Sequence, residues 1–136
     1  MATAHEIKAE AARPMKYFSH DSNAAQDIKC RRLLRRLGMA GYGRWWRLCE
    51  LLAATEGHRL GIETEEDAEI IAEELSLSGT SELMDFLQVL VSVGLVHMPG
   101  DGFVWSERML TNAEYFGKKR AAGRKGGQAK RSPGGN

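Results

Sequence analysis

The hydrophobic period of this chain changes at Gly94, and that change restricts the fold more than any other feature. Before it, apolar residues recur at helical spacing in runs closed by glycine: 27–37 ahead of Gly38, 39–56 ahead of Gly57, 64–75 ahead of the turn Leu77-Ser78-Gly79, and 80–93 ahead of Gly94 itself. After it, LVHM at 95–98 and FVWS at 103–106 read as short strands around Pro99-Gly100-Asp101-Gly102, a glycine-rich hairpin signal. RLGIE at 59–63 could add a short strand, and 107–120 returns to helical spacing.

Each helical run has an inward face. In 27–37 it is Cys30, Leu33, Leu34 and Leu37, with Arg31, Arg32, Arg35 and Arg36 between them and facing away. In 39–56 it is Tyr42, Trp45, Trp46, Cys49, Leu52 and Ala53, the most apolar stripe and the expected centre of the core. Thr64 to Asp67 fits a capping box opening a helix that turns Ala68, Ile71, Ala72 and Leu75 inward. The next helix offers Leu83, Phe86, Leu87, Leu90 and Val91, and the last offers Met109, Leu110, Ala113 and Phe116. Helix, short turn, helix, two-stranded hairpin is the order of a winged helix. The expected fold is therefore mainly α: a winged helix-turn-helix over about 59–106, two preceding helices, a small β-hairpin wing and a C-terminal helix. Residues 1–16 are polar and expected to be loosely ordered, 17–116 form the domain, and 117–136 form a flexible basic tail.

Charge is strongly segregated. The chain carries 19 basic and 18 acidic residues, yet 117–136 alone holds seven Lys/Arg and no acid. Residues 58–116 hold two basic residues, Arg59 and Arg108, against twelve acidic ones. Residues 1–57 hold ten basic and six acidic residues, the arginines of 31–36 prominent among them. Clustered Lys/Arg points to a polyanion-binding arm or to a solvated linker, and phosphate backbones bind such arms through counterion release. The helix 80–93 would occupy the recognition position of a helix-turn-helix. Its exposed positions are Thr80, Ser81, Glu82, Asp85, Gln88 and Ser92, without Lys or Arg. Phosphates would repel it, so DNA contact is expected at the arginine cluster and the tail instead. Alternatively, those arginines pair with the acidic helix around 65–74.

Other chemistry is thinly represented. Cys30 and Cys49 are far apart without a CxxC and read as structural thiols in a reducing cytoplasm. His5, His20, His58 and His97 lack metal spacing, and no GxSxG, HExxH or Walker sequence occurs. No enzyme activity and no cofactor is expected. No run approaches the ~18 apolar residues of a membrane span, and the first residues lack the apolar segment of a signal peptide. Trp45 and Trp46 read as core, while Trp105 is the better candidate for an exposed aromatic.

Four stretches carry a family resemblance: YFSHDSNAAQDIK at 17–29, GMAGYGRWWRLCELLA at 38–53, GFVWSERML at 102–110 and KKRAAGRKGG at 118–127. The Tyr17-Phe18-Ser19-His20-Asp21 and Gly38-Met39-Ala40-Gly41-Tyr42-Gly43 blocks are its most specific parts. They are similar to the N-terminal domain of phage and prophage replisome-organiser proteins, related to DnaD-type replication initiators. The resemblance implies a winged helix in the bacterial host's cytoplasm with a part in starting DNA replication, by binding origin DNA or helping load a helicase. The DNA-contacting residues expected are Arg31, Arg32, Arg35, Arg36, Lys118, Lys119, Arg120, Arg124 and Lys125. The competing expectation is a protein-interaction or self-association module whose acidic winged helix docks on a helicase or its loader.

Overall fold

A computed structural model describes residues 2–131, and the side chains among them apart from those of Lys125 and 127–131. The elements run α1 (Ala4–Ala11), α2 (Ile28–Ala54), β1 (Arg59–Gly61), α3 (Glu65–Glu74), α4 (Thr80–Val93), β2 (Phe103–Trp105) and α5 (Glu107–Arg131), with 3₁₀ turns at Ala24–Gln26 and Glu56–His58. The protein is mainly helical with a winged-helix-like arrangement.

Gly38 breaks α2 into two limbs. Its φ of 67° and ψ of −164° lie where side chains are rarely tolerated, so the glycine expected to end one helix acts as a sharp joint inside a longer one. Gly41 completes the joint. A Cβ there would fall 2.3 Å from Leu37 Cβ, so the turn closes only around a hydrogen. The C-terminal limb buries Trp45, Trp46, Leu48, Cys49, Leu52 and Ala53 as the axis of the core. Against it pack Ala68, Ile71 and Ala72 of α3 with Leu75 at its C-cap, Leu83, Phe86, Leu87 and Leu90 of α4, and Met109 and Ala113 of α5. Each large apolar side chain so removed from water contributes about 1.5–3 kcal/mol before entropy is counted. The inward residue near the end of α4 is Val93 (3% exposed) rather than Val91 (36%).

Local signals explain the ends. Thr64 Oγ1 accepts the Asp67 amide at 3.1 Å and starts α3. Gly94 takes the left-handed conformation, φ 88°, and the Leu95 amide reaches back to Leu90 O at 2.9 Å to close α4. In the wing, β2 is the middle member. It pairs antiparallel with β1, Leu60 opposite Val104, and touches the 95–98 segment through a single bridge, His97 to Trp105. The hairpin expected between 95–98 and 103–106 is thus one bridge wide, and the main ladder is between β1 and β2.

The two ends differ from the sequence-based expectation. Residues 4–11 form α1, opened by a reciprocal capping box: Thr3 Oγ1 accepts the Glu6 amide at 3.1 Å and Glu6 Oε1 accepts the Thr3 amide at 3.0 Å. The last helix does not stop at 120, so the first part of the expected flexible tail is helical through Arg131; 132–136 lie outside the described residues. The physical reason is mutual. Neither helix has a strong apolar stripe, but α1 packs across α5 at Gly117 and orders both. Met15 N–H to Ala53 O (2.8 Å) and Gly57 N–H to Ala12 O (2.7 Å) tie the end of α1 to the core.

Candidate nucleic-acid interface

The first limb of α2 presents the arginines. Cys30 (5% exposed) and Leu33 (0%) are buried and set the roll of the helix. At about 100° per residue, positions 31, 32, 35 and 36 then occupy the opposite arc. All four arginines are exposed. Among the described residues, Arg31, Arg32 and Arg35 meet no carboxylate, and Arg36 donates through Nη1 to Ser92 Oγ at the end of α4. Lys29 also lies over that end, its Cε 3.4 Å from a Cβ placed on Gly94. Two cationic side chains therefore lie at the C-terminal end of α4, where a helix carries partial negative charge.

The alternative pairing with α3 is made by other arginines. Arg44 Nε donates to Leu75 O at 2.8 Å, and Arg47 bridges Glu74 at 2.7 Å and Glu50 at 2.9 Å. Both belong to the second limb of α2. The outer face of α3 keeps Glu65, Glu66, Asp67, Glu69 and Glu73 exposed, around Ile70 at 53% exposure. On α4, Ser81, Glu82, Asp85, Gln88 and Ser92 are exposed as the periodicity requires.

The basic part of α5 is placed differently. Arg120 Nη1 donates to Glu10 O at 3.0 Å. Arg124 reaches Glu10 at 3.3 Å and Glu6 at 4.0 Å. Lys118 pairs with Glu114 at 3.2 Å, and Lys119 Nζ sits 5.2 Å from the Tyr115 ring centre. Thus α1 draws Arg120 and Arg124 into contacts inside the fold, which separates them from the free arginine row of α2. The side chains of Lys125, Lys130 and Arg131 lie outside the described residues. The signal for α1 was present in Thr3-Ala4-His5-Glu6, a capping-box sequence.

The Tyr17–Asp21 block is a seam between α2 and α5. The Ser19 amide donates to Asn112 Oδ1 at 2.8 Å, and Arg108 Nη2 donates to Ser19 O at 2.9 Å. His20 stacks on Trp46 with ring centres 3.4 Å apart, and Arg108 lies 5.4 Å from the same indole. Trp45 (1% exposed) and Trp46 (9%) belong to the core as expected. Trp105 is half-buried, flanked by Arg59 at 5.3 Å and His97 at 4.4 Å, and its strand neighbour Phe103 is the more open ring at 41%.

Burial raises the pKa of both thiols, with Asp27 adding to the effect at Cys30, so neither supplies a thiolate near neutral pH. Among the described residues no group of three His, Cys, Asp or Glu is placed to hold a metal, and no helix is long and apolar enough to cross a membrane.

No curated protein and no solved structure matches the chain. A family model described as Lin1244/Lin1753-like, N-terminal, matches residues 17–109, from the Tyr17 seam to Met109 in the first turn of α5. The chain belongs to the Lin1244/Lin1753-like N-terminal family.

Proposed function

We propose that this chain is the DNA-binding module of a phage or prophage replication-initiation protein, and that it grips duplex phosphates through Arg31, Arg32, Arg35 and Arg36 without catalysing a reaction. One observation carries the reading: an exposed row of guanidinium groups on one helix face that meets no carboxylate among the described residues. Guanidinium groups bind phosphate oxygens bidentately, and a row on a rigid helix holds its register on a backbone. The acidic faces of α3 and α4 keep the duplex away from the position a recognition helix ordinarily takes. Lys118 and Lys119 extend the basic surface, while Arg120 and Arg124 contribute less because α1 engages them; the side chain of Lys125 lies outside the described residues. The replication role rests on the resemblance of the Tyr17 and Gly38 blocks to replisome organisers.

The test is duplex affinity of the full chain against Arg32→Glu/Arg36→Glu on several unrelated sequences. Phosphate contacts predict uniform weakening across sequences. Unchanged affinity removes the row from the interface.

A second reading is favoured by the exposed acids of α3 around Ile70. An apolar knob ringed by carboxylates suits a basic helical partner, such as a helicase or its loader, or another copy of this chain. Glu66→Lys/Glu69→Lys would then abolish capture of that partner, or lower the sedimentation coefficient of the protein alone, while leaving DNA affinity intact.

A further inference from the structure

We propose that the cleft between the segment after α1 and the middle of α5 binds single-stranded DNA, with one nucleotide seated in it. The inference rests on the nucleic-acid reading above and adds a second site with its own strand preference. The cleft has a volume of about 420 Å³ and is lined by Arg13, Lys16, Tyr17, Phe116, Lys119 and Arg120, together with Pro14. That size suits a nucleotide. Among the described residues its lining contains four cations and no carboxylate.

The cations are available yet held. Arg13 is 63% exposed and its Nη1 donates to Glu10 Oε1 at 2.9 Å. Arg120 gives one N–H to Glu10 O at 3.0 Å, which leaves its other donors for a ligand. Buried Glu10 (4% exposed) thus fixes both guanidinium groups from beneath. Among the described residues, Lys16 and Lys119 meet no carboxylate.

Beside them stands Tyr17, 72% exposed and held against Phe116 at 5.6 Å and 83°. A fixed, open ring next to a phosphate-sized cation cluster is the composition of a single-strand site, where a base stacks while its phosphate is neutralised. A stacked duplex does not offer a base to such a ring. Two larger clefts are of mixed charge: one of about 490 Å³ sets Lys29 and Arg108 against Asp21, Asp27 and Glu107, and one of about 460 Å³ sets Arg44 and Arg47 against Glu74.

The test measures binding of the full chain to labelled oligothymidylate and to a random-sequence duplex. Tyr17→Ala is expected to weaken the single strand by roughly five- to a hundredfold, the range of one base–aromatic stack, and to leave the duplex within about twofold. Tyr17→Phe keeps the ring and retains single-strand affinity. Lys16→Glu/Lys119→Glu weakens the single strand and flattens its salt dependence. Thymidine monophosphate displaces the oligonucleotide at concentrations where inorganic phosphate does not. Single-strand affinity unmoved by Tyr17→Ala overturns the proposal. So does equal loss in Tyr17→Phe, or displacement by phosphate alone as effective as by the nucleotide. If Arg32→Glu/Arg36→Glu removes duplex binding while Tyr17→Ala changes nothing, this site fails and the arginine-row reading stands. The converse result separates them the other way.

Discussion

Gly117 and Ala11 meet backbone to backbone where α1 crosses α5: a Cβ added at 117 would lie 2.7 Å from Ala11 N and 2.8 Å from its Cα. A helical glycine replaced by alanine ordinarily gains about 1 kcal/mol. Here the neighbour is main chain and cannot turn aside. Gly117→Ala is expected to lose about 1–3 kcal/mol and to speed amide exchange in 4–11. A raised melting temperature would mean that the helices are not in this contact.

Glu10 holds α1 on α5 through charge. Its carboxylate is buried and meets Arg13 at 2.9 Å and Arg124 at 3.3 Å. Both arginines are largely exposed and can return to water, so Glu10→Gln should cost only about 1 kcal/mol. The loss should appear as fraying of 4–11 in hydrogen exchange, with the α2–α4 core unaffected. It should also free Arg124 for polyanions and raise DNA affinity at low salt.

Gly38 and Gly43 form a matched pair. Among the described residues, nothing beyond the chain neighbours and the helix's own backbone lies within 4 Å of a Cβ at either, but Gly38 has φ 67° and Gly43 is ordinary helix. Gly38→Ala should cost about 1–3 kcal/mol through backbone strain alone. Gly43→Ala should gain about 0.5–1 kcal/mol. Thermal melts of the two variants check the opposite signs.

At the start of α4, where the Gly79 cap has no side chain, Glu82 reaches back to Ser78. The Ser78 hydroxyl and amide both donate to Glu82 Oε2, the amide at 3.0 Å, and they hold its pKa below the ordinary carboxylate value. A lowered folded pKa adds stability above the unfolded value, and that stability is lost as pH falls through the folded value. Ser78→Ala should move the Glu82 titration upward in a carboxyl-detected NMR series and reduce the acid dependence of the melt. An unmoved titration would show that Ser78 does not set it.

The core of this fold was legible because its apolar residues and glycines agree. Cys30 and Leu33, Trp45 and Cys49, and Leu83 and Leu87 lie where helical spacing puts them, and Gly94 ends α4 as a left-handed cap. Val91, four residues after Leu87, and Val93, three after Leu90, both fit helical spacing, and Val93 is the one that faces inward. The termini were not legible from apolar spacing. The one fully buried residue of α1 is Glu10, so its order comes from α5. Gly117 lies inside the helix expected over 107–120, but nothing in the sequence marks it as a crossing point. The arginine row was visible because Cys30 and Leu33 fix the roll locally. The Tyr17 cleft was not, because Lys16 and Lys119 belong to segments about a hundred residues apart that only the α1–α5 packing brings together.

The most direct measurement is the salt dependence of duplex affinity for the full chain and for Arg31→Gln/Arg32→Gln/Arg35→Gln. These three arginines meet no carboxylate among the described residues, and removing them should leave the fold intact. At about 0.9 per phosphate contact, the slope of log affinity against log salt should flatten by between two and three. An unchanged slope, with the variant folded, would contradict the account.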